Sequence, residues 1–397
     1  MFNTPIMKAA FPTAEDTNRV KRARERLESQ VRTGSERQKR LVEMVSKMHI
    51  KDALVDPNTM DYHYGKALSV KLSDGNWYGI HPHALGQMAQ IFEYPKLYLN
   101  KLQKGVAGIA LSECRNKLVN DMSWHAKNSR LKDRRGNAAS YLVRSVDGEI
   151  RGYLSRSFKR HLASKPLMRA FLKSCEQAGL HPVDGHASPV RVNLQCSLPY
   201  VFEPYPGEFL AIGVSWSNSD FGGGRMKVSM SMKRINGEAA VVLNDAISEV
   251  HVGPVIEEAD IEMSDETHKA ELKAQSRAIN DAVVGQLQPD KVKKMLAVVK
   301  AAHEEEIPWE KLRYELARHL QKKELQEVRE LLDQNHEGYE ELPPITYDDE
   351  DDPIPSRWWA SSVLGSFAER EGSAERKKEL QELAGSILGK VKVKKAS

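Results

Sequence analysis

The stretch LAIGVSWSNSDFGGGRMKVSMSMKRING (210–237) decides the fold. Before its glycines, Leu210, Ile212, Val214 and Trp216 alternate with Ala211, Gly213, Ser215 and Ser217. After them, Met226, Val228, Met230 and Met232 alternate with Lys227, Ser229, Ser231 and Lys233. Side chains of a strand point to opposite faces in turn, so this pattern predicts an antiparallel sheet with one buried and one wet face. PVRVNLQCSL (189–198) repeats it, with Val190, Val192, Leu194, Cys196 and Leu198 against Arg191, Asn193, Gln195 and Ser197. NSDFGGG is then a hairpin loop whose glycines accommodate positive φ. The predicted wet face carries Arg191, Lys227 and Lys233 and no carboxylate, with Arg225 at the loop. FGGGR is either a plain turn or a turn that also holds phosphate. It has no Lys-Ser/Thr and leads into a strand, which argues against a P-loop.

Upstream, KALSVKLSDGNWYGI (66–80) predicts a hairpin around Asp74-Gly75, with Leu68, Val70 and Leu72 inward. HPHALGQMAQIF (81–92) predicts a helix with Pro82 in its first turn and Leu85, Met88, Ala89 and Phe92 on one face. A second short helix is expected after Pro95. YLVRSV-DG-EIRGYL (141–154) is a hairpin with a type I′ turn signature. A two-residue loop sets Val146 opposite Glu149 and Arg144 opposite Arg151. Like charges facing each other are unfavourable, so Glu149 or an outside anion compensates. SKPLMRAFLKSCEQAG (164–179) predicts a helix capped by Ser164, with Leu167, Ala170, Phe171 and Ala178 inward.

At the N-terminus, residues 14–50 predict a helical arm capped by Asp16 or Thr17. Its apolar stripe is thin before Leu41, Val42 and Val45, so the helix is partly solvated or covered by a partner. Residues 262–335 switch to helical spacing, with Pro289 and Pro308 at the breaks and WEKLRYELARHLQKKELQEVRELLDQ (309–334) as the last helical run. EGYEELPPITYDDEDDPIP (337–355) is Pro-rich and acidic, as a linker is. The tail returns to helices capped by Ser356 and Ser373. The expected division is a helical arm (1–55), an α+β core (56–260), a helical region (261–340), an acidic linker (341–355) and C-terminal helices (356–397).

The totals narrow the class. A chain of 397 residues exceeds one ordinary core. No apolar run of membrane-spanning length occurs, and MFNTPIMKAAFPTAEDT has no signal-like apolar region. Three separated cysteines, Cys114, Cys175 and Cys196, suit a reducing cytoplasm rather than a disulfide framework. The expected location is the bacterial cytoplasm, with no membrane partner.

Net charge is only +4, but it is uneven. Arg130, Lys132, Arg134, Arg135, Arg144, Arg151, Arg156, Lys159 and Arg160 crowd one region, with Tyr141, Tyr153 and Phe158 between them. Cations for a phosphate backbone and rings for bases are what a single-stranded nucleic acid requires. The competing reading is an ordinary mixed surface. Arg191, Arg225, Lys227 and Lys233 extend the expected nucleic-acid set. Histidines 63, 81 and 83, and HPVDGH (181–186) read as a loop, offer too few ligands for a zinc site. No nucleophile elbow, dinucleotide fingerprint or HExxH is present, so no catalytic residue, metal or cofactor is expected.

Four blocks occur in order: PHALGQMAQIFEYPKLYLNKL (82–102), YLVRSVDGEIRGYLSRSFKRH (141–161), SNSDFGGGRMKVSMSMKRING (217–237) and EVHVG (249–253). Together they resemble the phage- and plasmid-borne family called domain of unknown function 932. WWASSVLGSFAER (358–370) with LAGSIL (383–388) resembles the end of many members. Arg156 stands where the family often has Asp, and Ile235 where Cys commonly precedes Asn-Gly. The resemblance implies a phage or plasmid origin and no particular reaction.

The expected fold is α+β, a largely antiparallel sheet with helices on one face, an N-terminal helical arm and a helical C-terminal third. The expected function is non-enzymatic: binding of nucleic acid in DNA metabolism, with single-stranded DNA as ligand and annealing among the activities. Similarity to RecT-type annealases is an analogy of fold alone. The alternative is a protein-interaction factor working through its helices and acidic linker. Oligomeric state is not legible.

Overall fold

A computed structural model describes residues 18–65, 67–95, 98–99, 102, 111–128, 140–156, 158, 162–235, 240–249, 265–334, 346–347 and 353–389. The fold is α+β, built on two six-stranded sheets. The expected Asp16 or Thr17 cap and most of the acidic linker lie outside the described residues, as does most of the segment after Pro95.

The first sheet contains β1 (Lys51–Val55), β2 (Asp61–Tyr64), β3 (Leu68–Lys71), β4 (Trp77–Ile80), β5 (Tyr141–Val146) and β6 (Glu149–Ser155). Their order is β1-β5-β6-β4-β3-β2. All neighbours are antiparallel except β4 and β6, which run parallel. The two Asp-Gly hairpins form where the sequence predicts them. Asp147 and Gly148 both have positive φ, as a type I′ turn demands. Helices α2 (Pro82–Ile91) and α3 (Leu111–Asn128) cover one face, on which Val70, Ile80, Leu85, Met88, Leu118, Met122, Ile150 and Tyr153 make a core.

The predicted register of the β5–β6 hairpin holds for the two pairs next to the turn, Val146–Glu149 and Ser145–Ile150, and fails at the third. Val146 pairs with Glu149, but a bulge follows, and Arg144 pairs with Gly152. Arg151 is the extra residue of the bulge. It turns to Glu149, 3.0 Å from Nε to Oε2, so a neighbouring carboxylate relieves its charge.

The second sheet runs β12-β11-β10-β8-β7, with β9 beside β10. Its strands are β7 (His181–Ala187), β8 (Val192–Ser197), β9 (Phe202–Tyr205), β10 (Glu208–Asn218), β11 (Met226–Arg234) and β12 (Ala240–Glu249). HPVDGH is thus strand β7, not the expected loop. The apolar face packs on α4 (Ser164–Gln177), where Phe171 stacks 6.1 Å from Trp216. Helix α5 (Asp265–Gln286) lies against α4, β11 and β12. Burying an aromatic or aliphatic side chain of this size contributes roughly 1.5–3 kcal/mol, and this face carries many.

The face expected to be wet is covered. Every residue of β8 and β10 is buried. A helical hairpin, α9 (Arg357–Glu369) and α10 (Ala374–Leu388), closes over it with polar side chains. Lys378 Nζ donates to Ser215 Oγ, Gln195 Nε2 donates to Gln381 Oε1, and Lys227 Nζ donates to both oxygens of Glu382. Burial of polar groups is tolerated because they find partners. The missing carboxylate of the sheet is supplied from the far end of the chain.

The N-terminal helix α1 (Asn18–Lys47) runs along edge strand β7 and shields it. Its thin stripe, Val20, Ala23, Leu27, Gly34, Leu41 and Val45, is all buried. Gly34 is required there: a Cβ would lie 2.6 Å from the Pro182 carbonyl oxygen. Asp184 of β7 ties three elements, accepting from Arg37 Nη1 and from Lys377 Nζ at 3.1 Å each.

Helices α6 (Pro289–Glu304), α7 (Trp309–Leu316) and α8 (Lys322–Gln334) complete the C-terminal part. Pro289 and Pro308 sit at helix starts as predicted, but 309–334 is two helices, broken at 317–321. Strands β13 (Thr346–Tyr347) and β14 (Pro353–Ile354) pair in the linker. Ser356 and Ser373 cap α9 and α10 by accepting from Trp359 and Arg376. Ser164 does not cap α4; it is the first helical residue, and its N–H donates to Asp220 Oδ1 at 2.8 Å. A carboxylate at a helix N-terminus is favourable there. Among the described residues, no helix is long and apolar enough to cross a membrane.

Candidate nucleic-acid interface

The FGGG loop lies at the seam between the sheets. Phe221 is 1% exposed and packs on Val146 and Val190. Its carbonyl accepts from Gln87 Nε2 at 2.9 Å and from His83 Nε2 at 3.0 Å. A carbonyl only accepts, so Nε2 is the protonated nitrogen of His83. Ser219 Oγ accepts from the N–H of Phe221 and of Gly223, and donates to the Val190 carbonyl. The loop is a hairpin connection, as predicted, and also an inter-sheet joint.

The same joint consumes cations expected to meet a ligand. Arg144 is 5% exposed; it donates to Asp52 Oδ1 at 2.8 Å and to the Asp220 carbonyl at 2.7 Å. Its guanidinium lies 5.5 Å from the Phe158 ring centre. Arg191 is buried, with Nη1 on the Gly223 carbonyl at 3.4 Å and Nη2 on Ser217 Oγ at 3.3 Å. Lys227 is held by Glu382. Arg151 is held by Glu149 and reaches the Pro189 carbonyl. The expected row of Arg191, Lys227 and Lys233 on a wet face is therefore corrected: the first two are enclosed, and Lys233 is half-buried near Asp184. Burial also opposes charge on Asp184, but the His186 hydrogen bond and the nearby cations Lys377 and Lys233 hold its carboxyl well below the usual range.

The predicted stacking rings are corrected likewise. Tyr153 is 1% exposed and Phe158 is buried, so neither presents a face to a base. Tyr141 is half-buried and stacks 5.1 Å from Tyr153. Tyr153 belongs to the core under α2 and α3, where Phe92 meets it edge-on, and Phe158 packs on Leu142 and Leu154 of the opposite face. Arg130, Lys132, Arg134, Arg135, Lys159 and Arg160 lie outside the described residues. Arg156 and Arg225 are exposed, and neither has an ion pair among the described residues.

Among the described residues, two open surfaces bear on a polymer ligand. Along α1, Lys21, Arg22, Arg26, Arg32, Lys39 and Arg40 are exposed and have no ion pair among the described residues. Glu25, Glu28 and Glu36 are interleaved with them. The second surface is the outer face of β2, β3 and β4. His63, Ser69, Gly79 and Glu149 are in register across four strands. Ser69 and Gly79 make a low floor; a Cβ on Gly79 would meet only the Gly148 carbonyl, at 4.0 Å. Trp77, 50% exposed, flanks it, with its ring 5.9 Å from that of His63 in an edge-on arrangement. Sequence reading passed over Trp77 as a hairpin residue. Its signal was a large ring alternating with Tyr78, on the face opposite the core.

His81 caps α2, its Nδ1 accepting from His83 N–H. Burial lowers its pKa, partly offset by Glu149. Among the described residues, no three His, Cys, Asp or Glu side chains gather as a metal would need. Comparison with protein-family models, curated proteins and solved structures finds no match.

Proposed function

We propose that the protein binds nucleic acid through its phosphate backbone, with single-stranded DNA as the ligand, as a phage- or plasmid-borne DNA-metabolism factor that performs no chemistry of its own. The observation that carries this reading is the exposed cation series of α1. A helix of 30 residues is about 45 Å long. Lys21, Arg22, Arg26, Arg32, Lys39 and Arg40 recur along it toward solvent. Cations arranged along a line suit a polymer of phosphates and release its counterions. The basic residues 130–135 and the exposed Arg156 and Arg225 add to the same electrostatic argument. The acidic interleaving limits affinity and favours a flexible strand that can follow the cations.

The test is retention of a fluorescent single-stranded oligonucleotide between about 50 and 200 mM salt, where several neutralised phosphates imply a fall of a hundredfold or more. Replacing the six α1 cations by Gln flattens the salt slope, by about 0.7 for each phosphate no longer neutralised. No binding at the lowest salt overturns the reading. A protein partner is the second reading, favoured by Trp124 on α3, 61% exposed, and Tyr314 on α7, 69% exposed.

A further inference from the structure

We infer that the hollow over Gly79 on the first sheet is a stacking site for one unpaired nucleobase. The inference rests on the nucleic-acid reading and deepens it by naming where a base, rather than a phosphate, is held. The floor is Ser69 and Gly79, adjacent in register. His63 and Glu149 stand at the two ends of the same row, so about 14 Å separates their backbones at the usual strand spacing. The rings of His63 and Trp77 meet across β3, so the open part of the row is the space over Gly79, between those rings and Glu149. Trp77, two positions from Gly79 on β4, supplies a half-exposed aromatic surface, and His63 meets it edge-on. A half-exposed indole presents a π-face on which a base can stack.

The rest of the wall suits a base edge. Glu149 accepts and Arg151 donates, and the two are joined at 3.0 Å. Arg151 fixes Glu149 in place, and the carboxylate offers an acceptor to the N–H rim of an unpaired base. A paired base in a duplex hides that rim and its faces. On the same face Lys71 stands in register between Asp61 and Trp77, and Asp74 lies in the adjoining turn, so Asp61, Asp74 and Glu149 offset Lys71 and Arg151 and the hollow has no excess of positive charge. Backbone affinity comes from elsewhere, and the hollow adds the distinction between a base-bearing and a base-free strand.

The experiment compares an oligo-dT strand with an abasic phosphodiester strand of equal length and charge. Wild-type protein is expected to bind the dT strand about tenfold more tightly. Trp77→Ala removes the preference, leaving abasic-strand affinity and salt slope unchanged. Gly79→Val, which fills the floor and suits a strand, does the same and stands in should Trp77→Ala melt early. Equal wild-type affinity for both strands overturns the stacking site and leaves the nucleic-acid reading standing. A preference that survives both variants also overturns the site. Binding of neither strand overturns the nucleic-acid reading, and the stacking site falls with it.

Discussion

The imidazole of His303 lies nearly parallel to the ring of Tyr205, 4.4 Å between centroids and 12° between planes. The Trp358 indole is 5.5 Å away. His303 is 4% exposed, and neither ring nitrogen has a hydrogen-bond partner among the described residues. Burial, and then the cation of Arg234, push its pKa down to about 3 from an ordinary 6.5. The folded protein holds this group neutral while the unfolded chain protonates it below about pH 6.5. Stability therefore falls as pH drops from 6.5 toward 3 and levels off below. The loss at pH 5 is about 2 kcal/mol. His303→Phe keeps the stack and removes the proton. Urea unfolding from pH 7 to 4 is expected to show a slope shallower by up to one proton; parallel curves for the two proteins refute it. Asp184, lowered below its ordinary 3.8, acts only in more acidic solution, where its contribution is lost.

Arg234 and Glu208 form a two-pronged pair, Nε to Oε1 and Nη2 to Oε2 both at 2.7 Å, and both residues are buried. Removing one partner strands a buried charge. Arg234→Met is expected to cost about 3–5 kcal/mol, and Arg234→Met with Glu208→Leu much less. A double-mutant cycle measured by denaturant unfolding decides it. Additive losses mean that the charges are not coupled.

Gly222 sits at φ +75°, and a Cβ there would lie 2.5 Å from Leu154 Cδ2 and 2.7 Å from Gln87 Nε2. Gly222→Ala meets both backbone strain and a clash at the seam, with an expected loss of about 1–3 kcal/mol. Gly223 has no positive φ, so the strain argument does not reach it. A thermal melt in which Gly223→Ala loses more than Gly222→Ala refutes this account of the loop.

The strands were legible because their period is local. Trp216, Val228 and Met230 announced their shared face without any partner in view. What covers the other face was not legible. Ser215 meets Lys378 and Gln195 meets Gln381, across separations of 163 and 186 residues. A serine facing water and a serine facing a lysine read the same in a strand. The clue lay in α10, where Lys377, Lys378, Gln381 and Glu382 form a polar stripe beside the apolar Leu380, Ala384 and Ile387. The basic hairpin misled for a related reason. Arg144 looked like a ligand cation because its partner, Asp52, stands on β1 and the Asp220 carbonyl stands in the loop between β10 and β11.

The arginines around the glycine loop separate a joint from a contact surface. Arg144 and Arg191 are enclosed and hold carbonyls of the loop, so each replacement by Ala leaves a buried acceptor unmatched. Their loss is expected to lower the melting temperature. For Arg144 the cost is about 1–3 kcal/mol, from the stranded Asp220 carbonyl, since water can reach Asp52 at its exposed position. Arg225 is exposed beside them, with no ion pair among the described residues. Arg225→Ala is expected to move stability by no more than about 0.5 kcal/mol. If the nucleic-acid reading holds, the same variant lowers the salt slope of single-strand binding by about 0.7, as removing one phosphate-binding cation does. Arg144→Ala and Arg191→Ala, measured well below their melting points, leave that slope unchanged, since neither guanidinium reaches solvent phosphates. Melting curves and binding isotherms at two salt concentrations for the three variants make the comparison. A reduced slope for Arg191→Ala without a loss of stability would show the loop opening to grip phosphate. An unchanged slope for Arg225→Ala would leave FGGGR as a joint between two sheets and nothing more.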